Sequence, residues 1–189
     1  MEERIKFISD GLEIEGLLQS SESDRAAIIT HPHPLYGGDM HNPVVAAITG
    51  AYQEKAVATL RFNFRGAGAS QGRHDKGIGE RNDVIAALGY LRECGFKQVD
   101  LAGYSFGAWV NAHLSCRSAA IERMVMVSPP IAFIEFADVD SIDCLELVIT
   151  GSHDDIAPMG PVQNALSGWN PQARLEIIKG ADHFSRLGC

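Results

Sequence analysis

Short, strongly apolar runs separated by helix-length stretches constrain this 189-residue chain more tightly than any other feature. The runs are Ala26–Thr30, Val57–Phe64, Val99–Ala102, Met124–Val127, Leu145–Thr150 and Leu175–Ile178. A strand without a polar face must be covered on both sides, and the intervening stretches supply the covers. Asn42-Pro43 sets a capping residue and a first-turn proline at the head of one predicted helix. Val84, Ile85, Leu88 and Leu91 form the stripe of a second, a third begins around Phe106, and a short one covers Pro161–Leu166. Strand and helix in alternation predict βαβ units and a mostly parallel sheet with helices on both faces. The amino-terminal end reads differently. Ile5 and Phe7 alternate with Arg4 and Lys6, Asp10-Gly11 supplies a turn, and Leu12 and Ile14 alternate with Glu13 and Glu15. That pattern predicts an antiparallel hairpin.

No repeat, low-complexity tract or Pro/Gly/Ser linker divides the chain, so residues 1–189 are expected to form a single domain. A domain of this length buries roughly 70% of the surface its unfolded chain exposes, enough to dispense with a metal or disulfide staple. The net charge of −8 and the absence of a basic run argue against nucleic acid as a partner. Met1-Glu2-Glu3-Arg4-Ile5-Lys6 is not a basic-then-apolar leader, and no apolar run reaches the length of a membrane span. Four cysteines lie far apart with no C-x-x-C pair. They read as free thiols in a reduced, cytoplasmic setting, with Cys94, Cys116 and Cys144 expected to be buried or half-buried.

In parallel sheets ligands collect at the carboxyl ends of the strands. There Gly103-Tyr104-Ser105-Phe106-Gly107 joins a predicted strand to a predicted helix. A tight turn at that junction exposes the central hydroxyl, and the flanking glycines relieve the crowding. A serine that merely caps the helix is the structural alternative. A nucleophilic serine also needs a base and an acid that orients it. His153-Asp154-Asp155 follows the Leu145–Thr150 run, and Asp182-His183 follows the last run. Ser105, Asp154 and His183 thus occupy three strand-end loops in the order Ser, Asp, His.

The loop His31-Pro32-His33-Pro34-Leu35-Tyr36-Gly37-Gly38 and the stretch Arg61-Phe62-Asn63-Phe64-Arg65-Gly66-x-Gly68-x-Ser70-x-Gly72 complete a resemblance. With the serine turn, they make residues 26 to 184 similar to the small lidless serine hydrolases of the α/β-hydrolase superfamily. The resemblance implies an α/β-hydrolase fold with about eight strands, an N-terminal antiparallel hairpin and no cap domain. It implies a triad of Ser105, His183 and Asp154, with Asp155 as the alternative acid. The elbow geometry assigns one oxyanion donor to the backbone N–H of Phe106. Pro32 and Pro34 have no N–H to offer, and matching the loop to the family's His-Gly-x favours Leu35 as the second donor, with Tyr36 and His33 behind it. Tyr36 and Tyr104 are candidate substrate-binding residues. Related dienelactone hydrolases use cysteine where this chain has Ser105. The family also continues into a final helix, whereas Cys189 stands six residues beyond His183. A shortened terminus or a partner subunit, for example in a homodimer, is therefore expected over that face.

Other motifs read as structural. Gly66, Gly68 and Gly72 are spaced G-x-G-x-x-x-G, not as a dinucleotide loop, and suit a turn. His31, His33 and His41 lie close together, but Pro32 and Pro34 stiffen the loop and no H-E-x-x-H helix exists, so they read as loop structure and not as a metal site. His74, His113 and His153 have no assigned role, and Trp109 is read as packing. The expected activity is cofactor- and metal-free hydrolysis of a small-molecule ester or thioester. The sixteen residues from Ser128 to Asp143, too few for a lid, predict an open, shallow site for short acyl groups. An amide hydrolase of the same mechanism and a non-catalytic protein of this fold are the competing classes.

Overall fold

A computed structural model describes residues 1–114 and 116–184. Eight strands form one sheet: β1 (Glu3–Ser9), β2 (Leu12–Gln19), β3 (Arg25–Thr30), β4 (Ala58–Phe62), β5 (Gln98–Tyr104), β6 (Met124–Val127), β7 (Leu145–Gly151) and β8 (Arg174–Ile178), in the order β1-β2-β4-β3-β5-β6-β7-β8. β1 and β2 are the expected hairpin, with Phe7 opposite Ile14. β2 is antiparallel to β4, and every later pairing is parallel.

Successive side chains of a strand serve opposite faces, and β3 divides its apolar residues accordingly. Ala26 and Ile28 join the larger core with Leu60, Val84, Leu88, Leu101, Met124, Val162 and Trp169, while Ala27 and Ile29 join a smaller one with Val45, Val57 and Ala102. Helix α1 (Pro43–Gln53) packs on the second face; α2 (Ile78–Glu93), α3 (Phe106–Ala112) and α5 (Met159–Trp169) pack on the first. Asn42 caps α1 as expected, its side chain accepting the Val44 N–H at 2.9 Å with Pro43 behind it.

Two local expectations are corrected. The buried stripe of α2 runs Glu80, Asp83, Val84, Ala87, Leu88, Leu91, whereas Ile85 is exposed. Ile85 is about 100° around the helix from Val84, which puts it off the face that meets the sheet. The cysteines are not all free thiols. Cys116, opening the short α4 (Cys116–Ala119), is bonded to Cys144 just before β7, while Cys94 is a free, exposed thiol where α2 ends. Closing a loop across 28 residues stabilises the folded state by about 3.5 kcal/mol on a chain-entropy basis. The expected shortening of the carboxyl-terminal helix falls on residues 185–189, outside the described residues. Among the described residues no helix is long and apolar enough to cross a membrane.

The order β4-β3-β5 reverses the direction of chain progression beside β3, which opens a crevice at the carboxyl ends of β3 and β5. The loops that follow these strands and β6, β7 and β8 surround that crevice.

Candidate active site

Ser105 stands between β5 and α3 with φ 54° and ψ −117°, a conformation that L-residues adopt only under local constraint. Its N–H donates to the Val127 carbonyl at 2.9 Å. A Cβ on Gly103 would come within 2.6 Å of the Ala108 nitrogen, and one on Gly107 within 2.6 Å of the Thr30 carbonyl oxygen. Both glycines are needed because α3 packs directly against β5 and β3.

Asp154 and His183 come from the loops after β7 and β8, and backbone bonds tie these loops together. The Ser152 N–H donates to Ile178 O at 3.0 Å, and the His153 N–H to Ala181 O at 2.9 Å. His183 Nε2 lies 2.9 Å from Ser105 Oγ, and its Nδ1 lies 2.9 and 3.0 Å from the two oxygens of Asp154. All three side chains are buried. Asp154 Oδ1 also accepts the N–H groups of Ile156 and Ala157, at 3.0 and 2.7 Å. Burial pushes this carboxyl up, but the bonds from His183 and Ala157 outweigh it and hold its pKa below the ordinary value. Asp154 therefore stays ionised and fixes Nδ1 as the protonated nitrogen, leaving Nε2 free to take the serine proton. Asp155, the alternative acid, is exposed beside it.

Behind the serine, Tyr104 is buried and donates its hydroxyl to the His183 carbonyl oxygen at 2.7 Å. Burial, followed by the nearby Asp154 and Asp182 carboxylates, raises its pKa to about 12, so it remains a neutral donor. Expected as a substrate contact, Tyr104 does line the cavity, but its polar end holds the histidine loop.

The loop after β3 departs from expectation. Pro34–Tyr36 forms one 3₁₀ turn capped by His33. The Leu35 N–H, expected as the second oxyanion donor, instead faces His33 Nδ1 at 3.3 Å, and the Leu35 side chain is 69% exposed. The Tyr36 N–H is likewise engaged, donating to His33 O at 3.1 Å. A residue that caps a turn keeps its own N–H outside the turn's bonds. Among the described residues the N–H groups of His33 and Phe106 have no acceptor, and both residues line the cavity at Ser105.

The three histidines considered for a metal go to separate places. His31 is fully buried, and its Nε2 accepts the Phe64 N–H at 3.0 Å; burial lowers its pKa to about 4. His33 lines the cavity and His41 is exposed. Among the described residues no cluster of three or more His, Cys, Asp or Glu is placed to hold a metal ion. Gly66, Gly68 and Gly72 all have positive φ, as a structural turn requires.

The cavity over Ser105 measures about 480 Å³. Pro130, Phe133 and Ile134 from the segment after β6 form one wall, with Tyr36, Ile156 and Phe184 around the rest. The loop after β6 raises this wall with the residues between β6 and β7. Geometrically, the site can activate a hydroxyl, pass its proton to an imidazole and offer two N–H donors to a developing oxyanion.

No protein-family model matches the chain. It is 35% identical over 185 residues to the uncharacterized protein RP471 of Rickettsia prowazekii, covering 92% of this chain and 78% of that protein. Among solved structures it is similar to an alpha-beta serine hydrolase homologue from Coxiella burnetii, with TM-score 0.89, 31% identity, and coverage of 96% of this chain and 89% of that one. It is also similar to XC6422 from Xanthomonas campestris, described as an a/b serine hydrolase without lid, with TM-score 0.87, 29% identity, and coverage of 97% and 86%.

Proposed function

Because this chain belongs to the α/β-hydrolase superfamily, we propose that it hydrolyses carboxylic esters of small molecules through an acyl-serine intermediate on Ser105. The unbroken line of contacts from Ser105 Oγ through His183 to Asp154 is the main support for this reading. His183 Nε2 takes the Ser105 proton as Oγ bonds to the substrate carbonyl carbon. The carbonyl oxygen becomes an oxyanion held by the N–H groups of Phe106 and His33. As the tetrahedral intermediate collapses, the bond to the alcohol oxygen breaks and His183 gives that oxygen its proton. Water then attacks the acyl-serine, surrendering a proton to Nε2, and the acid leaves as Ser105 regains its hydrogen. Asp154 holds the ring and stabilises the imidazolium formed in each half.

Covalent labelling by a fluorophosphonate, together with turnover of p-nitrophenyl esters but not of aminoacyl p-nitroanilides, tests this reading. Labelling without ester turnover would reject ester hydrolysis, and failure of both would reject the serine mechanism.

The His33 N–H has its own test. The φ of −59° at His33 is one that proline adopts without strain. His33→Ala removes the ring and keeps the N–H, whereas His33→Pro removes both. The proline variant is expected to have a kcat about 10²-fold or more below that of the alanine variant, the usual cost of losing one oxyanion donor. Equal kcat values would show that the second donor lies elsewhere.

A further inference from the structure

Among the described residues, the Phe, Tyr and Trp side chains left exposed are Tyr36, Phe133 and Phe184, at 74%, 59% and 62%. All three line the cavity over Ser105, arriving from the loops after β3, β6 and β8. Exposed apolar side chains scattered singly need no explanation, but three rings from separate loops converging on one cavity do. Resting on the ester-hydrolase reading, we propose that the acyl group of the substrate ends in a neutral flat ring seated against Tyr36 and Phe133.

The chemistry of the serine decides which half of the ester goes where. His183 must protonate the leaving oxygen, so the alcohol lies on the His183 side of the scissile carbon. Phe184 stands there, its ring 5.6 Å from that of His183. A smaller hollow of about 250 Å³, lined in part by Pro43, Val44, Tyr104 and Phe184, continues on that side. The acyl group runs the other way, along the His33 loop. The His33 ring lies 4.6 Å from Phe106 and 5.0 Å from Tyr36, and Tyr36 meets Phe133 edge to face at 6.1 Å and 70°. These rings form a continuous aromatic wall that starts beside the oxyanion donors. A planar ring on the acyl chain can stack on such a wall or meet it edge-on, whereas a short alkyl chain leaves most of it wet.

The same wall excludes charge. Among the described residues, no Lys, Arg, Asp or Glu lines the cavity. Against these described residues a carboxylate on the ring would lose its water without gaining a charged partner, and the net charge of −8 adds long-range repulsion.

Three methyl esters of equal intrinsic reactivity at the carbonyl carry the test: methyl hydrocinnamate, methyl butyrate, and the para-carboxylate derivative of the first. The hydrocinnamate is expected to exceed the butyrate in kcat/KM by about tenfold and the carboxylate by about 100-fold. Phe133→Ala and Tyr36→Ala should each bring the hydrocinnamate-to-butyrate ratio down toward one. Equal kcat/KM for all three esters, or preference for the carboxylate, in a protein that still labels with fluorophosphonate would overturn the ring-binding proposal alone. No turnover and no labelling would overturn the ester-hydrolase reading, and this proposal with it.

Discussion

Ser105→Ala is expected to lower kcat for p-nitrophenyl esters on the order of 10⁴-fold or more and to abolish fluorophosphonate labelling, with the thermal midpoint preserved. The loss is large because Ser105 Oγ forms the covalent bond; without it only the oxyanion donors and substrate binding remain. The fold survives because the small side chain contributes little packing, and its main-chain bond to Val127 O is untouched. Asp154→Asn separates positioning from bonding. The amide can keep contact with His183 but favours the wrong tautomer, so kcat should fall by about 10⁴-fold while labelling slows without vanishing. His183→Ala combined with Ser105→Ala should cost little more than either alone, because the two act as a unit. Additive losses in the double variant would contradict the proton relay from Ser105 to His183.

Much of this arrangement is legible in the sequence because each signal is local. The Asp10-Gly11 turn between alternating strands, the apolar runs within β3 and β5, and the glycines around Ser105 each state a constraint that a few neighbouring residues satisfy. What was misread depends on partners remote in the chain or on one local geometry. Leu35 suited a family pattern, but Pro34 opens a 3₁₀ turn and Gly37 closes it in the left-handed conformation, with φ 79°. That turn takes up the Leu35 and Tyr36 N–H groups and leaves out that of its cap, His33. Proline after His33 and paired glycines after Tyr36 were the available signal. The Cys116–Cys144 bond gave no such signal, since neither spacing nor neighbours mark the pair. Within α2, a search for apolar periodicity passes over Glu80 and Asp83, yet both sit on the buried stripe.

Asp83→Ala should produce the largest loss of stability of any single change away from the site, about 3–5 kcal/mol. Arg65 lies three residues past the end of β4, in the segment that leads to α2, and its side chain is buried. Asp83 Oδ1 accepts from Arg65 Nη2 at 2.7 Å, and its Oδ2 accepts the Arg65 backbone N–H at 2.9 Å. Burial alone would lower the guanidinium pKa, but its bonds to Asp83 and Asp10 raise it well above the ordinary arginine value. Removing Asp83 takes away the buried partner of the Arg65 guanidinium, leaving it Ser9 and the half-exposed Asp10, and strands the Arg65 backbone donor, each at a desolvation cost. For a domain of this length the midpoint should drop by about 10 °C, measured by calorimetry or by chemical denaturation with an unchanged slope. Asp10→Ala gives the contrast. Its carboxylate also reaches Arg65, at 2.9 Å, but its side chain is 50% exposed. Water can replace it, so the midpoint should move far less. If both variants lose the same stability, burial is not what makes Asp83 costly to remove. If Asp83→Ala loses almost none, Arg65 has found another partner and the loop after β4 is held by Asn63 and Ser70 instead, whose bonds to Glu15 Oε1 and the Asn63 carbonyl are 2.6 and 2.7 Å.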